Sequence, residues 1–183
     1  MFTVSYTIKS KRAFILFYLN VSFFLLLYRS DGIVINDGIW HHVCITWDVV
    51  VGEYVFYKDG AIVRKGVYAR TCIPGGGVWV LGQDQDWIGG GFDKDDSFKG
   101  EMVETNIWNK VLTPQEILIL SRSCQANLPD GIIKSWKEFL VGVKLRNYII
   151  FNESFHVIAG IHDAYNYACQ LFFPALYASK QFP

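Results

Sequence analysis

The segment at residues 54–63 restricts the possible folds most strongly, because an Asp-Gly pair lies between two runs of β-forming residues. Asp59 and Gly60 both tolerate the positive φ that the central positions of a tight hairpin turn require. We therefore predict a strand at residues 54–57, a turn at this pair and an antiparallel return strand at residues 61–63.

Other short runs of branched and aromatic residues, separated by turn residues, predict further strands. They lie at residues 33–35, 42–49, 78–81, 98–104 and 106–108, with a turn at 36–38. Glycine is frequent, with 16 residues, and aromatic residues make up 16% of the chain. Short strands and glycine-containing turns at this spacing predict an all-β antiparallel sandwich of one domain.

One short α-helix is predicted at residues 114–121. Thr113 supplies the N-cap, Pro114 occupies the first helical position, and Glu116 completes a capping box ahead of an apolar run. Beyond about residue 147 the hydrophobic periodicity weakens. We therefore assign no element to the aromatic tail at residues 164–183.

An apolar stretch at residues 14–28 follows Lys9, Lys11 and Arg12. This layout is also that of a signal peptide or signal anchor, an alternative that stays open. However, Asn20 and Ser22 interrupt the stretch, and it is shorter than the roughly 20 apolar residues that a bilayer requires. We interpret it as two buried strands joined at residues 19–21.

Charge and cysteine content exclude several classes of function. The chain has 17 basic and 17 acidic residues, so no net field would steer it toward nucleic acid or acidic membranes. The four cysteines are Cys44, Cys72, Cys124 and Cys169. They form no C-x-x-C pair, which favours disulfides over a zinc or redox site. Sequons at Asn20 and Asn152 agree with a secreted glycoprotein.

The segment His42-Val43-Cys44-Ile45-Thr46-Trp47 resembles the pentraxin pattern H-x-C-x-S/T-W, although Val49 stands where a further Ser or Thr is usual. Other stretches similar to the family follow in its order and spacing. They lie at residues 40–42, 57–60, 81–86, 89–93, 98–101 and 106–108. An ordered series over residues 4–143 is not expected by chance, so the chain is identified as a member of the pentraxin family.

This resemblance implies a two-sheet jelly-roll sandwich of the concanavalin A and laminin G type, with a pentraxin domain at residues 1–147 and a divergent tail at 148–183. It implies a secreted, calcium-dependent, lectin-like domain that binds phosphocholine-like phosphate or carbohydrate ligands and catalyses nothing. It also implies assembly into a homo-oligomer, a pentamer in the family, or a place in a larger ectodomain.

Both ends of the chain depart from the family. The family's domain begins some tens of residues earlier, with a first strand and a cysteine that pairs with the one matched by Cys44. This chain has no cysteine before Cys44. We therefore expect an N-terminally incomplete domain that lacks its first strand or strands.

Five carboxylates lie between Gln83 and Asp96, around three consecutive glycines. Calcium takes six to eight oxygen ligands, and glycine lets a loop bend so that separate carboxylates converge. Composition alone leaves a solvated acidic loop equally open, and the resemblance favours calcium. The positions that match the family's ligands are Asp84, the Gln85 carbonyl, Asp86, Asp93 and Asp96, the last replacing a usual Gln.

The family binds two calcium ions side by side and takes two further ligands from an Asp-Asn pair. Arg12-Ala13 stand at that position here, and a cation beside an ion site is unfavourable. The loop therefore has the ligands of one calcium ion, while the second ion lacks the Asp-Asn pair that would bind it.

An EF-hand calcium loop starting at Asp93 is an alternative that fails, because Phe98 stands where that loop needs glycine.

Other conspicuous residues have structural interpretations. Neighbouring strand residues point to opposite faces, so His41 and His42 beside Cys44 are interpreted as core or surface histidines and not as a catalytic pair. Three tryptophans in strand settings are interpreted as core aromatics: Trp47, Trp79 and Trp108. Trp87 differs, because it lies inside the acidic loop, and it is a candidate ligand-contact residue.

Four cysteines allow three pairings. Cys72 opens the turn before a predicted strand, and Cys124 ends the helix that should pack nearby, so we predict a Cys72 to Cys124 disulfide. Cys44 is then free or joined to Cys169.

Three functions compete at this point. The first is a calcium-dependent binding module, and the second is an adhesion or structural module that has lost calcium. The third is a hydrolase with two catalytic acids, which is disfavoured because the acids cluster on one loop instead of flanking a groove.

Overall fold

The computed structural model describes residues 1–10, 17–18, 33–67, 70, 79–81, 86–88, 90–91, 100–123, 127–141 and 155–156. The strands are β1 (Phe2–Ser10), β2 (Phe17–Tyr18), β3 (Trp40–Asp48), β4 (Glu53–Lys58), β5 (Ala61–Val67), β6 (Val80–Leu81), β7 (Gly100–Trp108), β8 (Ile132–Lys134) and β9 (Phe155–His156). The helices are α1 (Pro114–Arg122) and α2 (Trp136–Val141).

The main sheet is mostly antiparallel, as predicted. Its strands follow the order β5-β4-β3-β1-β7-β8, and β9 adds a short parallel pairing to β7. β2 lies in the apolar stretch at residues 14–28 and pairs with β6 in a separate two-stranded sheet. The described residues thus contain one large sheet, and they do not contain the second large sheet of the predicted sandwich.

The predicted Asp-Gly hairpin is confirmed between β4 and β5. Asp59 and Gly60 have φ values of 52° and 80°, and the Asp59 N–H donates to the His42 carbonyl at 2.8 Å. A Cβ at Gly60 would lie 2.8 Å from Leu118 Cδ1 of α1. Glycine is therefore required both by the turn and by the close approach of the helix.

The central strands are buried on both faces of the main sheet. The core face holds Phe2, Val4, Tyr6, Ile35, Val43, Ile45, Trp47, Phe56, Met102 and Ile107. The opposite face, which we call the helix face, holds Cys44, Tyr57 and Trp108, packed with Leu112 and Ile117. Because each large side chain contributes about 1.5–3 kcal/mol when fully buried, this two-sided packing strongly stabilises β3.

Two predicted strands differ from the structure. Residues 33–35 form no strand, because Ile35 packs into the core and the Val34 carbonyl accepts a hydrogen bond from the Lys58 ammonium group. The break predicted at residue 105 is instead a bulge within β7. There the register with β1 shifts between Ser5 and Thr7, and Glu104 has a φ of 57°.

The prediction of a single helix is wrong, because α2 follows β8. The Ser135 N–H and hydroxyl donate to Glu138 Oε2 at 2.7 and 2.9 Å, and the Trp136 N–H donates to Asn106 Oδ1 at 2.9 Å. The Ser-x-x-Glu spacing is a capping signal that the sequence already contains. Neither helix of the described part is long and apolar enough to cross a membrane.

The predicted capping box of α1 is confirmed. The Glu116 N–H donates to Thr113 Oγ1 at 3.2 Å, and the Thr113 N–H donates to Glu116 Oε2 at 2.7 Å. The helix continues to Arg122, one residue beyond the predicted end. Its start is therefore fixed by local chemistry as well as by packing.

We expect Thr113→Ala to lower the free energy of unfolding by about 1 kcal/mol, because the first turn loses its side-chain acceptor. Urea unfolding measures the change. Gln115→Ala in the same exposed turn is the matched control and should have little effect. Equal losses in the two variants would contradict the capping role.

Candidate functional site

Among the residues predicted to bind calcium or ligand, the structure describes Asp86 and Trp87. The other predicted calcium ligands lie outside the described residues: Asp84, Gln85, Asp93 and Asp96. Both cysteines of the predicted Cys72 to Cys124 disulfide lie outside them as well. The described part of the acidic loop is thus a short turn at residues 86–91, without residue 89.

This turn exposes three consecutive side chains, those of Asp86, Trp87 and Ile88. The Gly90 N–H donates to the Trp87 carbonyl at 3.0 Å, and the Trp87 N–H donates to the Gly90 carbonyl at 3.5 Å. These two bonds form an isolated antiparallel bridge. Asp86 and Trp87 therefore stand on a backbone of defined shape.

Gly91 holds the carboxylate of Asp86 closely. Its φ is 78°, a conformation that L side chains rarely adopt, and an added Cβ would lie 2.8 Å from Asp86 Oδ2. Any other residue would displace the carboxylate. Loop bending is the role that the sequence predicts for these glycines, and the structure adds this close contact.

His41 lies between two carboxylates. Its Nδ1 is 2.8 Å from Asp59 Oδ2, and its Nε2 is 3.0 Å from Asp37 Oδ2. A neutral imidazole has a single N–H, so only the imidazolium donates to both carboxylates. The hydrogen bond from His41 is the main cause that lowers the pKa of Asp37. This cluster fastens the segment before β3 to the hairpin turn, which is a structural role.

His42 and Cys44 lie on the helix face, beside Ser5. His42 Nε2 is 2.7 Å from Ser5 Oγ, and Ser5 is directly opposite Cys44 in the register of β1 and β3. Burial lowers the pKa of His42 to about 4 and raises the pKa of the Cys44 thiol far above its usual value. At neutral pH His42 is uncharged and Cys44 is protonated, so neither acts as an effective base or nucleophile.

Within the described residues Cys44 is a free, buried cysteine, and Cys169, its predicted alternative partner, lies outside them. Ser5 was not predicted as the residue facing it, because a serine in an unassigned strand gives no signal. The residue directly opposite Cys44 in the neighbouring strand is therefore Ser5.

The tryptophans divide as predicted. Trp47 and Trp108 are 4% and 0% exposed, and Trp79 packs partly buried against the core. Trp87 is 62% exposed.

Among the residues that the structure describes, no group of three His, Cys, Asp or Glu side chains could hold a metal ion.

The described part of the chain is thus a mostly antiparallel β-sheet domain with a capped helix packed on one face and an exposed turn that carries a carboxylate and an indole. The sequence profile of the Pentaxin family matches residues 2–151. The chain belongs to the pentaxin, or pentraxin, family. The family is non-enzymatic and typically calcium-binding, and the chain is not an enzyme.

Two curated relatives align with more than half of the chain. The Mus musculus "Sushi, von Willebrand factor type A, EGF and pentraxin domain-containing protein 1" is 42% identical over 111 residues, which are 60% of this chain and 3% of that protein. Homo sapiens neuronal pentraxin-1 is 42% identical over 107 residues, which are 57% of this chain and 24% of that protein. The chain thus spans a small part of these relatives.

A solved structure shares the fold. The heptameric SAP-like pentraxin from Limulus polyphemus superposes with a TM-score of 0.60 and 27% sequence identity, over 75% of this chain and 76% of that chain. The fold of the chain is therefore pentraxin-like.

We expect Ser5→Cys to form a disulfide with Cys44, because directly opposed residues of an antiparallel pair have Cβ atoms about 4.5–5.5 Å apart, near the separation that a disulfide spans. The oxidised variant should gain about 2–4 kcal/mol in free energy of unfolding over Ser5→Ala, which loses the same contact with His42. Peptide mapping and urea unfolding with and without reductant measure this. Unlinked peptides after oxidation would show that the two side chains do not meet.

We expect the free energy of unfolding to fall as the pH drops from about 6.5 to 4. In this range the unfolded chain protonates His42 at its ordinary pKa, while the folded chain does not until about pH 4. The full window amounts to about 3 kcal/mol. Urea unfolding of the wild type and His42→Gln at several pH values isolates this histidine from the others. Parallel pH profiles would be inconsistent with a desolvated His42.

Proposed function

We propose that this chain is a calcium-dependent ligand-binding domain of an extracellular protein. In this proposal a calcium ion in the acidic loop bridges to phosphate or carbohydrate oxygens of a surface ligand. The observation that carries the proposal is the exposed Asp86 carboxylate on the turn closed by Gly90 and Gly91. Membership of a typically calcium-binding family supports it.

The residues of the loop suit calcium. The groups that would hold one ion are Asp84, the Gln85 carbonyl, Asp86, Asp93 and Asp96. All five are hard oxygen donors, which calcium accepts in flexible geometry, whereas softer metals favour nitrogen and sulfur ligands. The close approach of Gly91 to Asp86 supports the fit, because a residue with a Cβ at this position would displace the carboxylate. Bound calcium would supply positive charge and open coordination positions for ligand oxygens.

Several features belong to the same proposal. We propose the Cys72 to Cys124 disulfide, a domain at residues 1–147 with a divergent tail at 148–183, and an oligomer or a larger ectodomain as the setting. Sequons at Asn20 and Asn152 support an extracellular location. The Limulus pentraxin is heptameric, and the Mus musculus relative is named for several domain types, so each setting has support among relatives.

A second candidate function is an adhesion or structural module with weakened or lost calcium binding. It is favoured by Arg12-Ala13, which stand where the family has the Asp-Asn pair of the second calcium.

Retention on phosphocholine resin and on agarose separates the two functions. Calcium-dependent retention supports the first, and passage through both resins with and without calcium supports the second.

We expect calorimetry to detect calcium binding at or below millimolar concentration. Asp86→Ala should weaken it by more than the roughly 10- to 100-fold that the loss of an outer-shell partner costs, because a direct ligand is removed. Asp95→Ala is the matched control, since it removes a loop carboxylate outside the predicted ligand set. No calcium heat in the folded wild type would refute the proposal, and equal effects of the two variants would refute the assignment of Asp86.

A further inference from the structure

The segment that leads into β3, residues 33–39, is held to the domain by side-chain contacts, and we call it the entry segment. It belongs to none of the described strands. Ile35 is buried in the core, and the Val34 carbonyl accepts a hydrogen bond from the Lys58 ammonium group. The Asp37 carboxylate contacts a histidine of β3. The attachment of this segment therefore depends on side chains and not on strand pairing.

The histidine is His41, whose side chain is 6% exposed. Its Nε2 lies 3.0 Å from Asp37 Oδ2 and 3.2 Å from Asp37 Oδ1, and its Nδ1 lies 2.8 Å from Asp59 Oδ2. An ionised carboxylate only accepts hydrogen bonds, so both ring nitrogens must carry a hydrogen for both contacts to be hydrogen bonds. The ring therefore joins the two carboxylates only as the imidazolium.

The neutral ring has one N–H and keeps one of the two hydrogen bonds. Asp59 is the better-held partner, because its Oδ1 also accepts the His42 N–H at 2.9 Å and its own N–H donates to the His42 carbonyl at 2.8 Å. Asp37 accepts the Ile39 N–H at 3.0 Å, within the entry segment itself, and so moves with that segment. Deprotonation of His41 thus leaves the lone pair of Nε2 facing the Asp37 carboxylate, and this contact becomes repulsive.

Among the described residues around the ring, the other charged groups do not change state near neutral pH. Lys58 donates to a backbone carbonyl of the entry segment, and β1 places the uncharged Ile8 in register with His41. His42 points to the opposite face, and burial lowers its pKa to about 4. The hydrogen bond from His41 lowers the pKa of Asp37, so this carboxylate remains ionised. Imidazole is the side chain whose charge changes between about pH 5 and 8.

We infer that His41 is a pH-sensitive latch, which as the imidazolium fastens the entry segment to the hairpin turn and on deprotonation releases it. The latch is closed at mildly acidic pH and opens as the pH rises. Ile35 and Lys58 still hold the segment after release, so the opening is local and leaves the sheet folded. The inference does not rest on the calcium-binding function proposed above, because no residue of the acidic loop takes part.

Amide hydrogen exchange followed by NMR tests the latch in the full chain, with EDTA present so that calcium does not contribute. The exchange rates at about pH 5.5 and about pH 8.5, on either side of the imidazole range, are corrected for the intrinsic rates. We expect the protection of the entry segment to be about tenfold lower at the higher pH, because a partly exposed hydrogen bond to a charged group is lost. The protection of β3 should persist, and the ring resonances of His41 report its charge in the same samples.

Asp37→Asn separates the latch from a general effect of pH. The new amide donates to the bare Nε2 of the neutral ring and accepts from the imidazolium, so the attachment no longer depends on charge. We expect nearly equal protection of the entry segment at the two pH values. Asp48→Asn is the matched control, because this carboxylate accepts the Val50 N–H in another turn, and the pH dependence should remain. Lys58→Met removes the contact that does not titrate and should lower the protection equally at both pH values.

Three results would overturn the inference. The first is equal protection of the entry segment at the two pH values in the folded wild type. The second is an unchanged pH dependence in Asp37→Asn. The third is an equal loss of protection throughout the sheet at the higher pH, which would show that pH acts on the whole domain and not on this segment.

Discussion

The pairing of β1 with β3 is the contact on which the rest of the structure depends. β1 lies between β3 and β7 and contributes to both faces of the sheet. Val4 and Tyr6 fill the core face, whereas Thr3 Oγ1 donates to the Lys110 carbonyl at 2.7 Å and accepts from the Leu112 N–H at 2.9 Å. Thr3, which is 107 positions from Lys110 in the sequence, thus fixes the connection that leads into α1. The helix then packs against the hairpin turn at Gly60.

Local signals explain which elements the sequence predicted. The hairpin at Asp59 and the cap at Thr113 are specified within a few residues, and both have the predicted conformation. β1 was not predicted, although its apolar and polar residues alternate with the period of two that is typical of a strand. Its place in the sheet is set by cross-strand pairing with distant segments. Residues 33–35 carry β-forming side chains, but the Val34 carbonyl accepts a hydrogen bond from the Lys58 side chain of β4. Tertiary contacts, and not local propensity, therefore determine the backbone conformation of this segment. Long-range pairing is thus the part of the fold that sequence pattern did not supply.

The candidate site divides in the same way. The acidic residues and the family order are readable in sequence, and they led to Asp86 and Trp87. The close approach of Gly90 and Gly91 to these side chains was not readable, because it depends on the three-dimensional path of the loop. A row of glycines predicts a flexible loop, whereas the structure places two of them under specific side chains. Backbone proximity is a property of three-dimensional packing, and sequence spacing does not encode it.

The distribution of charge agrees with membership of a non-enzymatic family. His41 is held between two carboxylates, His42 is kept neutral by burial, and the Cys44 thiol stays protonated, so these groups are committed to the fold. The stretch from Gln83 to Asp96 instead holds five carboxylates and a single basic residue, Lys94, in a chain with no net charge. Such local repulsion is relieved by a bound cation. Under the proposed function, ion binding would therefore both order the loop and present the ion to a ligand.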